Sequence, residues 1–270
     1  MLFSNLPKPA IIAHRGASAY APENTLAAFK LALEQGADAI ELDAKLSADE
    51  QVVVIHDQTL DRTTPVSGHV RDFIMADMHK MDAGSHFDIA FRGEPIPTLD
   101  EVFKAVGQLT FINVELTNYA TPNDKLPEKV AELVKRYKLQ QRVFFSSFGI
   151  SNLLRIRRLL PEVPAGLLLA SGWRGSLSRF VSSFILHYQS LHPEVSYVSA
   201  RLVKQMHMKG KPLFVYTVNQ EQDMRRLFEF GVDGIFTDDP ILAQTVLGKV
   251  RQSAAKNAAS KNTATKDPTV

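Results

Sequence analysis

The chain has 270 residues, 45% of them apolar and 22% charged, with a formal net charge of +2 and no cysteine. That length and balance describe one globular domain able to bury a large core without staples. The absence of cysteine excludes disulfides, thiolate metal sites and cysteine nucleophiles. So small a net charge gives no drive toward nucleic acid or membrane. Arg155, Arg157 and Arg158 lie close together without interleaved aromatics, the pattern of a solvated helix face. No apolar run reaches the roughly 18 residues that cross a bilayer, and the first residues lack the zones of a signal peptide. The expectation is a soluble, cytoplasmic protein.

Residues 10–14 form the first short apolar run and read as a buried strand. Pro22, Glu23, Asn24 and Thr25 then open a helix with Leu26, Phe29 and Leu33 on one face, closed by Gly36. Asn24 is expected to cap that helix, with Glu23 favouring its dipole. Strand runs follow at 37–43 and 52–55. Residues 57–98 carry Pro65, Gly68, Gly84, Gly93, Pro95 and Pro97 among short apolar stretches, and read as an insertion over one end of the fold. Strands at 111–116 and 142–146 flank a helix over 126–137. Further strands at 166–169, 188–191, 213–217 and 234–236 alternate with helices over 150–160, 200–209 and 221–230. About eight strands in this rhythm suit a (β/α)8 barrel or a doubly wound sheet, and periodicity does not choose between them. Residues 251–270, rich in Ala, Lys, Ser, Asn and Thr, are expected to be a disordered tail beyond a single domain of residues 1–250.

The charged residues at the strand ends carry the chemistry. Glu41 and Asp43 share one face of their strand because side chains alternate. Two carboxylates at that spacing, in an apolar strand, are best explained by a hard divalent cation, Mg²⁺ or Ca²⁺. Glu115 lies near the end of its own strand and needs a partner, which the same cation supplies. His14 and His56 each follow an apolar strand. In a barrel such strand ends open onto one face, where two imidazoles form a natural acid and base pair. Arg15 offers a forked donor set for phosphate oxygens. Together these groups describe phosphoryl chemistry on an anionic ester.

The run His14-Arg15-Gly16-Ala17 through Pro22-Glu23-Asn24-Thr25 resembles the opening signature of the glycerophosphodiester phosphodiesterase family. The resemblance continues through Gly36-Ala37-Asp38-Ala39-Ile40-Glu41-Leu42-Asp43, His56-Asp57 and Leu60-Asp61-Arg62-Thr63-Thr64. It resumes at Ile96-Pro97-Thr98-Leu99-Asp100-Glu101, Asn113-Val114-Glu115-Leu116, Thr217-Val218-Asn219 and the block from Gly231 to Pro240. It implies a TIM barrel with an insertion after the second strand, matching residues 57–98. It also implies a divalent cation on Glu41, Asp43 and Glu115, acid and base roles for His14 and His56, and phosphate binding by Arg15. The family motif sets Glu23 and Asn24 beside the metal site, a second role after capping. The implied reaction is hydrolysis of a glycerophosphodiester to an alcohol and sn-glycerol 3-phosphate, with a cyclic phosphate intermediate. The alternatives are a lysophospholipase D acting on lipid-tailed diesters, with residues 180–191 as an apolar wall, and a degenerate barrel that only binds phosphodiesters.

Two departures from the family pattern stand out. Thr117 occupies the position of a family Lys, so a phosphate-facing cation is expected to be missing unless Arg15 or Lys45 replaces it, and Thr117→Lys is expected to raise activity. Tyr216 replaces a family Trp and keeps an aromatic platform. Trp173 follows the fifth strand on the expected catalytic face, as a lid, a substrate wall or an anchor for the following helix. Residues 178–191 have the spacing of a helix packed on the core.

Overall fold

The computed structural model describes residues 2–170 and 188–264; the expectations placed on Trp173, and on residues 178–187 as helix or apolar wall, lie outside the described residues. Eight strands run parallel: β1 (Ala10–Ala13), β2 (Ala39–Leu46), β4 (Phe111–Leu116), β5 (Val143–Ser147), β6 (Ala165–Leu169), β7 (Ser190–Pro193), β8 (Phe214–Val215) and β9 (Gly234–Thr237). Their order is β7-β6-β5-β4-β2-β1-β9-β8. Parallel bridges Leu191↔Leu213 and Glu194↔Tyr216 join β7 to β8 and bring the ring round. This is the TIM barrel, and it resolves the choice that periodicity left open.

The remaining strand, β3 (Val52–Val54), is not part of that ring. It pairs antiparallel with the end of β2, Ala44 opposite Val54 and Leu46 opposite Val52. Residues 52–55 read in sequence as one more barrel strand because their burial is the same. Val52 and Val54 pack in the main core, whereas Val53 and Ile55 face a second one, with Leu60, Val70, Met75, Met78, Ala83 and Ile96. The insertion is pinched at its base. Val53 bridges Thr98, and Val54 N donates to Pro97 O at 2.9 Å. Short α2 (Met75–Met78) lies within it.

Strand alternation divides the main core in two. Ile11, Ile40, Leu42, Ile112, Val114 and Phe145 pack outward against the helices. Ala10, Ile12, Ala39, Phe144, Phe214 and Phe236 turn inward and fill the barrel with Leu2 and Leu6. His192 lies among these rings, 5.3 Å from Phe236 and 5.5 Å from Phe214 between centroids. Burial pushes its imidazole down to about 3, so it is neutral and acts as core. Gly166 makes room for it, since a Cβ there would fall 2.3 Å from His192 Nε2.

The helices are α1 (Leu26–Glu34), α3 (Leu99–Val106), α4 (Leu126–Arg136), α5 (Ile150–Leu159), α6 (Ala200–Met208), α7 (Glu221–Phe230) and α8 (Pro240–Ala264). Thr25, not Asn24, caps α1: its hydroxyl accepts from Ala28 N at 3.2 Å. Asn24 adopts a left-handed φ of 57° one residue earlier, which turns its amide toward the barrel. Thr98 and Glu101 form a capping box at the start of α3. Helix α8 runs through Ala264, into the segment whose composition argues for a disordered tail. Residues 251–257 are exposed, so this stretch holds no core contacts. Extending an existing helix through Ala, Lys and Gln needs no new nucleus.

Candidate active site

The strand register assembles the acidic group. Glu41 and Asp43 both face the interior of β2, and the β2–β4 ladder sets Asp43 opposite Glu115. One oxygen from each of Glu41, Asp43 and Glu115 lies within 4.8 Å of the others. Glu41 and Asp43 are 3% and 1% exposed. Burial, with repulsion from Asp43 and Glu115, pushes the Glu41 carboxyl well up. Burial and then Asp43 raise Glu115 to about 8. Glu41 Oε2 accepts from Arg15 N at 2.9 Å, while its buried Oε1 has no hydrogen-bond partner. Crowded, oxygen-only and incompletely satisfied, this donor set fits a hard divalent cation.

Each imidazole is braced by a carboxylate. His14 follows β1, and its Nδ1 lies 2.6 Å from Asp238 Oδ1 at the end of the neighbouring β9. Ser18 and Asn219 also donate to Asp238. Burial works against the charge on Asp238, but His14 and these donors outweigh it and lower its pKa. His56 Nδ1 lies 2.6 Å from Oδ1 of the adjacent Asp57. Arg62 Nε donates to Asp57 Oδ2 at 2.6 Å. Burial opposes ionisation of Asp57 too, yet Arg62 and His56 bring it down to about 2. With Nδ1 held in this way, Nε2 is left for proton exchange.

One guanidinium joins the halves. Arg62 Nη1 and Nη2 donate to the two oxygens of Glu23, each at 2.7 Å. Glu23 also accepts from Arg15 Nη1 at 3.0 Å, and Arg15 Nε lies 3.3 Å from Asp43 Oδ2. Burial disfavours the Arg15 cation, but Asp43, Glu23 and Glu41 more than restore it. Asn24 Nδ2 donates to Asp43 Oδ2 at 2.9 Å, and Asn24 Oδ1 accepts from Asp43 N at 3.2 Å. Glu23 and Asn24 therefore serve the site. The capping expected of Asn24 falls to Thr25.

A cavity of about 200 Å³ is lined by His14, Arg15, Glu41, His56, Glu115 and Tyr216, among others. His56 arrives there by a route the sequence did not suggest. It does not end a parallel barrel strand; antiparallel β3 carries the chain back toward the mouth, with Ile55 N on Asp43 O at 3.0 Å. Thr117 is buried and does not line the cavity. Its hydroxyl accepts from Lys45 Nζ at 2.6 Å, so a cation already stands beside the position where one was expected to be missing. Tyr216 forms part of an aromatic wall with Phe148, whose ring stands 6.0 Å away at 86°.

Sequence reasoning missed Asp57, Asp238, Arg62 and Tyr119, whose hydroxyl donates to Glu115 Oε1 at 2.8 Å. Asp238 had a signal, because an acidic residue ending the last strand of a barrel must lie beside the first. Arg62 stood in the Leu60–Thr64 block of the family resemblance, but only the folded insertion brings it to Glu23.

Residues 14–242 match the sequence model of the glycerophosphoryl diester phosphodiesterase family. A glycerophosphodiester phosphodiesterase of Caldanaerobacter subterraneus subsp. tengcongensis is 41% identical over 250 residues, covering 91% of this chain and 99% of that one. The crystal structure of an Oleispira antarctica phosphodiesterase in complex with the product sn-glycerol 3-phosphate is 30% identical, with a TM-score of 0.79 over 92% of this chain and 99% of that chain. A crystal structure of a Silicibacter pomeroyi protein superposes with a TM-score of 0.81 at 27% identity, covering 92% of this chain and 97% of that one. With its barrel, its braced imidazoles and its acidic group in place, the chain belongs to the glycerophosphoryl diester phosphodiesterase family.

Proposed function

We propose that this chain hydrolyses glycerophosphodiesters to an alcohol and sn-glycerol 3-phosphate, with His14 and His56 moving protons and a divalent cation, Mg²⁺ or Ca²⁺, held by Glu41, Asp43 and Glu115. The observation that carries the reading is one cavity lined by two imidazoles, each braced at Nδ1 by a carboxylate, together with Glu41 and Glu115 of the acidic group. A binding module has no use for a pair of proton carriers so arranged. The Oleispira relative's complex with sn-glycerol 3-phosphate supports the same chemistry.

In this mechanism the free glycerol hydroxyl of the substrate attacks phosphorus. One imidazole takes its proton at Nε2 while the other protonates the departing alkoxide. The product is a cyclic phosphate, which water opens as the two imidazoles exchange roles. Asp238 and Asp57 hold each ring in orientation. Arg15, fixed by Glu23 and Asp43, binds phosphate oxygen. When bound, the cation would acidify the attacking hydroxyl and neutralise phosphoryl charge.

Release of glycerol 3-phosphate from glycerophosphocholine and glycerophosphoethanolamine, before and after chelation, tests this. Chelator should abolish release, and Mg²⁺ or Ca²⁺ should restore it. Full activity in excess chelator would remove the cation from the mechanism. No release from any diester would remove the function.

A further inference from the structure

A second cavity of about 200 Å³ lies beyond the catalytic one. The same strands lead to both. On β2, Glu41 lines the catalytic cavity and Lys45, four residues on along the same face, lines the second. After β3, His56 lines the first and Gln58 the second. At roughly 3.3 Å per residue, Lys45 stands about 7 Å past Asp43 along its strand. That is the reach of a short carbon spacer.

Two cations, Lys45 and Arg71, face this second cavity beside the imidazole of His69. Lys45, His69 and Arg71 line it with Gln58, Asn118 and Thr121. Lys45 is 4% exposed and donates to Thr117 Oγ1 and O, at 2.6 and 3.3 Å. Arg71 meets its neighbour Asp72 only at 3.9 Å, beyond hydrogen-bonding distance. The acidic residue in the wall, Asp124, is committed to its own loop. Its Oδ1 accepts from Asn118 Nδ2 at 2.6 Å and Leu126 N at 2.9 Å, and its Oδ2 from Thr121 Oγ1 at 2.7 Å. What remains is a concave site that favours an oxyanion.

We infer that the cavity lined by Lys45, His69 and Arg71 is a subsite for an anionic group on the alcohol half of the diester. This deepens the catalytic reading above and rests on it. The substrates favoured are diesters whose alcohol bears a second phosphate or phosphodiester. Diesters ending in a neutral or cationic alcohol leave the basic cavity unused.

Initial rates on three diesters test the inference: glycerophosphoglycerol, bis(glycerophospho)glycerol, whose alcohol carries a second phosphodiester, and glycerophosphocholine. The second should show a kcat/KM about tenfold above the first, expressed in KM, as one charge-assisted contact at a partly exposed site allows. Glycerophosphocholine should fall at or below glycerophosphoglycerol. A His69→Ala/Arg71→Ala double variant alters two exposed side chains outside the catalytic machinery. It should erase the preference and leave the rate on glycerophosphoglycerol unchanged. Equal efficiency on all three diesters, or a preference that survives in the double variant, would overturn the inference alone. Absence of hydrolysis of every diester would overturn it together with the catalytic reading. Inorganic phosphate that alters the rate on glycerophosphoglycerol in the wild type but not in the double variant would assign the cavity to a free anion and overturn the substrate claim.

Discussion

The two imidazole–carboxylate pairs reach the same cavity by different constructions. His14 and Asp238 are far apart in sequence and meet because β1 and β9 are hydrogen-bonded neighbours in the ring. His56 and Asp57 are adjacent in sequence and are delivered by a strand outside the ring, then fixed by Arg62. The first pair is as rigid as the barrel. The second depends on an insertion with its own small core. One half of the chemistry is therefore built by topology, and the other by a side-chain clamp.

Removing either ring is the severest way to break the comparison. His14→Ala and His56→Ala should each lower turnover by roughly 10²–10⁴-fold, the range for a lost acid or base. The double variant should cost little more, since the two act as one unit. Near-normal turnover in either single variant would exclude that residue.

The clamp should matter less, and on one side only. Arg62→Gln should lower kcat by about tenfold, a charge-assisted bond discounted for solvent screening. Arg62→Lys should recover part of it, and affinity for the cation should stay unchanged. A loss of cation affinity equal to the loss in kcat would show that Arg62 holds the whole site, not the insertion half.

A smaller effect is expected at Thr117. With Lys45 Nζ 2.6 Å from its hydroxyl, a second ammonium would be repelled and would displace that contact. Thr117→Lys should lower kcat/KM several-fold, about 1 kcal/mol, the reverse of the gain expected from sequence. Rates on glycerophosphocholine and glycerophosphoethanolamine decide it.

The gentlest probe is pH, and it reports on the barrel half alone. The Glu115 carboxyl is raised from 4.5 to about 8, with Glu41 raised beside it. The cation-free folded chain thus holds protons that the unfolded chain has released. Its stability should fall as pH rises from about 4.5 to about 8. Saturating Mg²⁺ should flatten that slope by displacing the protons. Thermal unfolding across this range, with and without cation, reads it directly; a flat apo profile would contradict the raised carboxyls.

How much the sequence disclosed follows the same division. The meeting of Glu41, Asp43, Glu115, His14 and Arg15 at one place was legible because strand alternation and shared strand ends are periodic properties of the chain. His56 was named for its type and position, but through a parallel strand that the fold does not contain. Apolar burial reads identically for a ring strand and for a hairpin arm, so residues 52–55 gave no warning. Arg62 and Lys45 owe their roles to contacts 39 and 72 residues away, and no local pattern encodes those. Asn24 was misread because a good capping residue beside a helix start is the commoner case, and only its left-handed backbone reassigns it.

The pinch at the base of the insertion, Val53 against Thr98 and Val54 N on Pro97 O, makes residues 55–96 an excursion that leaves and returns at nearly one point. Loop closure depends weakly on length, so the chain can be lengthened or shortened here without disturbing the barrel. The freedom is unequal along the excursion. Its first residues, from His56 through Arg62, are tied to the reacting centre, and Glu94 accepts from Ala27 N of α1 at 3.0 Å, whereas residues 85–90 between them are exposed. Grafting, tagging or splitting the protein should therefore be tolerated in that distal stretch. Laboratory recombination between relatives has a natural crossover there, one that changes the outer surface while handing the same histidine back to the mouth.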